Sequence, residues 1–252
     1  MQTYKKIVLL LAWIICLSYA CDKPAQDITI EEPKEPYELL MSYGTQADAY
    51  RRRHLVDYFQ MVALGTEYGN GIPLVKKWTA PMQTYVSGTP DSVLLTELND
   101  IIEELNSLFT DGFYIEHVTD SVAANYHLFF GDAAAYQKQY PTVASYLKEN
   151  KGLFTIYTDA NFAITSGHIF VNITDISLKY QKHILREELT QSLGLANDIN
   201  YYANSIFYEK WTDVQEYSDL DRETIRLLYH PNMIPKIGNS TVSSILKTIL
   251  GL

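Results

Sequence analysis

Cysteine is nearly absent from this 252-residue chain, which has only Cys16 and Cys21. That excludes a disulfide scaffold and any zinc site built on several thiolates. Glycine (12 residues) and proline (9) are too sparse for a collagen-like or disordered chain. Basic residues are also few. Twenty Lys and Arg face thirty Asp and Glu, and a formal charge of −10 repels phosphate backbones and argues against a nucleic-acid partner. No glycine-rich phosphate loop and no Gly-x-Ser-x-Gly elbow occurs, so nucleotide binding and serine hydrolysis both lack their motif. No internal repeat is visible. What is present is 47% hydrophobic residues, with twenty Tyr, nine Phe and three Trp. That is enough to bury one ordinary core without metal or disulfide support, and it favours strands or aromatic-lined surfaces.

The chain begins with a targeting pattern. Lys5 and Lys6 precede an uncharged apolar run over residues 7–17. Eleven helical residues reach about half of a bilayer's ~30 Å hydrocarbon core, which reads as a signal peptide rather than an anchor. The run closes on Leu17-Ser18-Tyr19-Ala20-Cys21. A small residue directly before Cys resembles the lipobox of bacterial lipoproteins, which implies that residues 1–20 are removed and Cys21 is acylated. Leu17 stands one place early and Tyr19 is bulky for that pattern. The alternative is ordinary cleavage with Cys21 as a chance thiol. Since Cys16 leaves with the signal, Cys21 has no internal partner, and acylation gives it a role. Without Lys5 and Lys6, eighteen basic residues face thirty acidic ones, a net charge of −12. The lipid membrane is thus a partner through the acyl chains alone, with no basic patch beside them. Residues 21–48, polar and with three prolines, read as a flexible tether.

Periodicity predicts one α/β or α+β domain over residues 49–236, with a mixed twisted sheet and a long helix packed on it. A helix is expected over residues 51–65, broken by Gly69-Asn70-Gly71, and one strand over residues 77–86. The clearest helix spans residues 91–109, where Leu94, Leu98, Ile101, Ile102, Leu105 and Leu108 repeat at three-and-four spacing. Strands are expected at 113–118, 125–130, 153–158 and 168–173, with a turn near Ser166-Gly167 and a Tyr-bearing helix or loop over 136–150. Helices follow at 177–195, stopped by Gly194, and at 219–229, capped by Ser218 or Asp219. Residues 237–252 form a C-terminal tail. In it Val242, Ile245, Leu246, Ile249 and Leu250 share a helical stripe expected to dock on the domain's own core.

The informative stretch is Arg186-Glu187-Glu188-Leu189-Thr190-Gln191-Ser192-Leu193-Gly194-Leu195-Ala196-Asn197-Asp198. It resembles the His-Glu-x-x-His-x-x-Gly-x-x-His/Asp motif of metzincin zinc proteases, in which two His one helical turn apart bind zinc and the Glu is general base. Glu188 stands where that Glu would be and Gly194 where the chain would turn. The three ligand positions read Glu187, Gln191 and Asn197. Ser205-Ile206-Phe207-Tyr208 is similar to the Met-turn, with Phe207 in place of Met, and residues 217–229 resemble the last helix of matrixins. The likeness covers roughly residues 75–230. It is closest to a bacterial family of lipoproteins of uncharacterised function that share the Arg-Glu-Glu-x-x-Gln-x-x-Gly-Leu signature.

The resemblance implies a zincin fold whose metal site has degenerated. Zinc prefers imidazole and thiolate, and a neutral amide oxygen binds it poorly. Without zinc no water is acidified, and Glu188 has nothing to deprotonate efficiently. Three other readings stay open. Glu187, Gln191, Asn197 and Asp198 are all oxygen donors, so calcium is an alternative cofactor. His183 and His230 allow a rearranged zinc site with Glu187, although a helix-face pair between His183 and Glu187 is the simpler expectation. Or Glu187 and Gln191 are structural, bonded to the strand edge or to Asn197. Elsewhere, His54 beside Arg51, Arg52 and Arg53 is expected on a solvated helix face, and His117, His127 and His168 at edge or core strand positions. The expectation is therefore an outer-membrane lipoprotein, on the periplasmic face or the cell surface. Its domain binds a peptide, a protein or an envelope component without catalysis, along residues 125–130 or 153–158 as the edge strand. The alternative is a metallopeptidase-like hydrolase with Glu188 as base.

Overall fold

Asp91 begins the longest apolar stripe by capping it: its carboxylate accepts from the Leu94 amide at 2.9 Å, and helix Ser92–Leu108 follows. All six stripe residues are buried, as their spacing predicts. Each contributes about 1.5–3 kcal/mol of hydrophobic transfer. The computed structural model describes residues 44–65, 72–148 and 150–252. Cys21, its signal peptide, most of the tether and the Gly69-Asn70-Gly71 break lie outside the described residues.

The elements in chain order are α1 (Gly44–Leu64), β1 (Lys77–Trp78), β2 (Met82–Gly88), α2 (Ser92–Leu108), β3 (Ile115–His117), β4 (Tyr126–Gly131) and α3 (Ala133–Gln139). A short 3-10 turn (Pro141–Val143) leads to β5 (Gly152–Thr158), β6 (Ala163–Asn172), α4 (Leu178–Gln191), α5 (Asp219–Leu228) and α6 (Asn239–Leu250). The first helix starts at Gly44, inside the stretch read as a tether. Among the described residues no helix is long and apolar enough to cross a membrane.

Across the sheet the strands run β3, β2, β4, β6, β5. All neighbours are parallel except β5, which lies antiparallel on β6. The two-residue β1 pairs with the start of β6. The mixed α/β class is thus as expected. The strand expected over residues 77–86 is instead two strands, because the chain leaves β6 after Trp78, bends through Thr79-Ala80-Pro81 and joins β4. Pro81 has no amide for a ladder, which makes it a natural break. Strand β4 lies between β2 and β6, so of the two candidate edges only β5 is one.

The turn expected at Ser166-Gly167 is also absent, because β6 runs straight through it. The chain turns earlier, at residues 159–162, where Asp159 accepts from Asn161 and Phe162 and the latter takes a φ of 62°. Gly167 is needed for close approach: a Cβ there would meet the Thr155 carbonyl oxygen at 2.2 Å and the Tyr126 ring at 2.6 Å.

The sheet has two different faces. On the front, Tyr126, Leu128, Phe130, Phe154, Ile156, Ile169 and Val171 join the main core with α1, α2, α4 and α5. On the back, Phe129, Phe170 and Leu153 form a smaller core with Tyr136, Val143 and Leu147 from α3 and the turn after it. Helix α6 docks on the main core through Val242 and Leu246 and packs along α1, so the C-terminal stripe finds its partner within the domain.

Candidate functional site

Helix α4 carries the signature residues and is gripped at both ends. Ser177 caps its start, accepting from the Tyr180 amide. At its end the Trp78 indole donates to the Ser192 carbonyl at 3.1 Å, and the Tyr229 hydroxyl to the Leu193 carbonyl at 3.0 Å. Gly194 stops the helix as expected. Its φ is 112°, and a Cβ there would stand 2.0 Å from the Lys76 carbonyl oxygen, which no other residue tolerates.

The signature side chains face inward, and Glu187, Glu188 and Gln191 are buried. Glu188 lies beneath the first residue of β5, where a Cβ on Gly152 would come within 2.3 Å of Oε1. The carboxylate also adds to the rise that burial imposes on the Tyr126 hydroxyl pKa, against a lowering from Ser192. Glu187 sits 3.4 Å from His183 Nε2, one turn back, which is the helix-face pair anticipated from the spacing. His183 Nδ1 donates to the Val214 carbonyl at 2.7 Å. Burial lowers the His183 pKa, and Val214 and Asp213 oppose it.

The two amide positions are engaged elsewhere. Gln191 donates from Nε2 to Asp198 Oδ1 at 2.6 Å, so its partner is not the Asn197 side chain or the strand edge. Asn197 instead donates to the Met61 carbonyl at 2.9 Å, on the last turn of α1, while its own amide bonds to Val62. That end of α1 is built around it: a Cβ on Gly65 would stand 2.2 Å from Asn197 Nδ2. His230 does not join His183 and Glu187; its Nδ1 accepts from the Asn232 amide. Among the described residues no group of three or more His, Cys, Asp or Glu is placed to hold a metal. The donor set does not fit zinc, since two of the three positions are amides whose NH2 groups already donate within the protein.

Phe207 is fully buried, and its backbone carbonyl accepts from Ile199 at 2.9 Å. Beside it lies a polar clamp that sequence reasoning missed. Ser205 donates to Asp221 Oδ1 at 2.6 Å, the Tyr58 hydroxyl of α1 lies 2.7 Å from Ser205 Oγ, and the Ile206 and Ser218 amides donate to Asp221 Oδ2. Burial raises the Asp221 pKa, and these hydrogen bonds oppose the rise. Ser218 and Asp221 also form a capping box, which accounts for the start of α5 where the sequence placed it.

Arg186 was likewise not singled out. It is 5% exposed and bonds Glu104 at 2.8 Å and Glu97 at 3.2 Å, both on α2. Its guanidinium lies 4.6 Å from the Tyr217 ring centre, and Arg222 of α5 shares Glu104. The available signal was a lone cation on an otherwise buried helix face. Of the remaining histidines, His117 sits on the edge strand β3, 2.7 Å from Thr84 Oγ1, and His168 is in the back core. His54 departs from expectation: it is half-buried and bonds the Tyr202 hydroxyl, and desolvation lowers its pKa.

Together these features define a mixed α/β domain with a buried, acid- and amide-lined helix beneath an antiparallel edge strand. Over residues 52–248, from within α1 to near the end of α6, the chain matches the family described as a protein of unknown function (DUF2927), and it belongs to that family. No curated protein matches it.

Proposed function

We propose that this protein is an exported lipoprotein, held in the bacterial outer membrane by acylated Cys21, with a metzincin-like domain that binds rather than cleaves. Its ligand on this reading is a peptide, a protein or an envelope component. The observation that carries the proposal is the engagement of the degenerate ligand positions: Gln191 with Asp198, Asn197 with Met61, and Glu187 beside His183. These contacts give the side chains at the former ligand positions a structural role. The sheet supports a zincin-like scaffold, because β5 is an antiparallel edge strand next to the helix that bears Glu188. An extended ligand held along such an edge needs main-chain hydrogen bonds and no metal.

One observation favours the alternative, a hydrolase with Glu188 as general base. Glu188 keeps its place beside the edge strand, and Gln191 Oε1 is buried without a hydrogen-bond partner. Cleavage of a peptide library by the wild type and Glu188→Gln, with zinc or calcium added, separates the two. No Glu188-dependent cleavage is expected; cleavage lost in Glu188→Gln would establish the hydrolase. The anchor has its own test. Labelled palmitate should enter the wild type and not Cys21→Ser, and an unlabelled wild type would refute it.

A further inference from the structure

The back of the sheet carries a row of rings that the front-side site does not use. Tyr85 on β2, His127 on β4, His168 on β6 and Thr155 on β5 are direct neighbours in register, all on the face opposite α4. The next row holds Glu116 on β3, Gln83 on β2, Ser166 on β6 and Tyr157 on β5. Helix α3 and the turn after it cover the far end, over Phe129, Phe170 and Leu153, and reach His168 through Tyr136 and Tyr140, so His168 and Thr155 are buried while the groups around them are open. Tyr85, His127, Tyr157, Gln83, Glu116 and Ser166 are all partly exposed. Tyr85 and His127 lie 5.8 Å apart between ring centres, and Tyr140 stacks on His168 at 3.8 Å and 18°. Four adjacent strands make the strip about 14 Å wide.

We propose that this strip is a binding surface for a neutral glycan strand, with Tyr85, His127 and Tyr157 as its stacking platform and Gln83 and Ser166 as hydrogen-bonding groups.

The chemistry of the strip selects that partner. Tyrosine presents an apolar face and a polar tip, which suits a ligand that alternates C–H faces with hydroxyls. The two rows contain no Lys or Arg and one carboxylate, Glu116, which already accepts from Gln83. A polyanion such as single-stranded nucleic acid would need a basic groove beside its aromatic platform, and this chain carries a net charge of −10. A peptide would need a free backbone edge or an apolar groove; only Tyr157 lies on an edge strand, whereas Tyr85 and His127 project from strands paired on both sides. His168 supports the platform from below. Its Nδ1 bonds the Tyr136 hydroxyl, and burial drops its pKa to about 3, so it stays uncharged at neutral pH. The surface is independent of the front-side site; only the choice of an envelope glycan as probe rests on the exported-lipoprotein reading.

The test is binding of the full chain, purified in detergent, to chitotetraose by titration calorimetry and to peptidoglycan sacculi by cosedimentation. The wild type should bind both. Tyr85→Ala with Tyr157→Ala should weaken binding about tenfold or more, a loss of about 1.4 kcal/mol, and the corresponding Phe pair should bind as the wild type does. If the Ala pair melts early, His127→Ala carries the test, with a loss of about threefold. Failure of the wild type to bind either probe overturns the proposal. So does undiminished binding by folded variants, or binding that persists after the glycan strands are hydrolysed and only stem peptides remain. Because the probes are added to purified protein, a missing acyl anchor would leave these outcomes unchanged.

Discussion

The two faces of the sheet use polar residues in opposite ways. On the front, α4 buries a cation, two carboxylates and an amide, and most of the contacts that hold them come from within the domain. Arg186 reaches Glu97 and Glu104 on α2, Gln191 reaches Asp198, and Asn197 reaches α1. On the back, Tyr85, His127, Gln83 and Ser166 stay partly exposed beside a small aromatic core. A buried polar group without a partner costs about 1–3 kcal/mol, so the front draws most of its polar atoms into contacts, with Gln191 Oε1 left over. On the back Thr155 and His168 are buried, but Tyr85, His127, Gln83 and Ser166 carry no such cost and remain available to something outside the domain. In this molecule the residues that look most like an active site are the ones most fully used by the fold.

The sharpest way to break this contrast is to remove a front-side contact. Arg186→Ala leaves Glu97 to Lys182 and Glu104 to Arg222 and should cost about 2–4 kcal/mol, read as a lower denaturant midpoint at unchanged slope. A loss under about 1 kcal/mol would make the signature arginine a surface residue in effect. Next comes Gly167→Ala. A close-approach glycine predicts about 1–3 kcal/mol of destabilisation, as the new methyl group presses on Thr155 and Tyr126. A near-neutral result would revive a turn at that position.

On the back, His168 should leave its mark in acid. Its folded pKa of about 3 lies below the ordinary 6.5, so between those values the unfolded chain binds a proton that the folded one does not. The stabilisation is fully present above pH 6.5 and drains away as pH falls toward 3. His168→Phe, whose side chain does not titrate, should flatten the acid limb of a stability-against-pH curve; an unchanged limb would place the acid sensitivity elsewhere. Smallest of all, Tyr85→Ala should shift stability by no more than about 1 kcal/mol, since its ring is partly exposed. A larger loss would mean that the strip is core and not surface.

Much of the fold was legible because it is local. The Leu stripe of α2, the Ser218 cap of α5 and the Gly194 stop of α4 each depend on residues within a few positions, and all appear where the sequence put them. Residues 153–158 were readable as a strand, while their place at the edge depended on the order of the whole sheet. What could not be read was partnership at long range. Arg186 pairs with residues 82 and 89 positions away, and Asn197 with Met61, 136 positions away. The same holds for the Tyr58–Ser205–Asp221 clamp, and for His54, whose Tyr202 partner lies 148 positions on. The glycine at 167 was misplaced for the same reason: a turn and a close approach both call for glycine, and only the neighbouring strands distinguish them.

The candidate site divides along that line too. The expectation of a metzincin-like helix rested on Glu188, Gly194 and their spacing. That Gln191 donates to Asp198 and Asn197 to Met61 at the end of α1 emerged only from the structure.

The account turns on that engagement, and zinc stoichiometry tests it most directly. The protein should be purified without chelator, analysed for bound metal, and melted with added zinc and with chelator. The expected result is far less than one zinc per chain and a melting temperature that neither addition moves. Near-stoichiometric zinc, with a melting temperature that falls on chelation, would contradict it and make the helix around Glu188 a working metal centre.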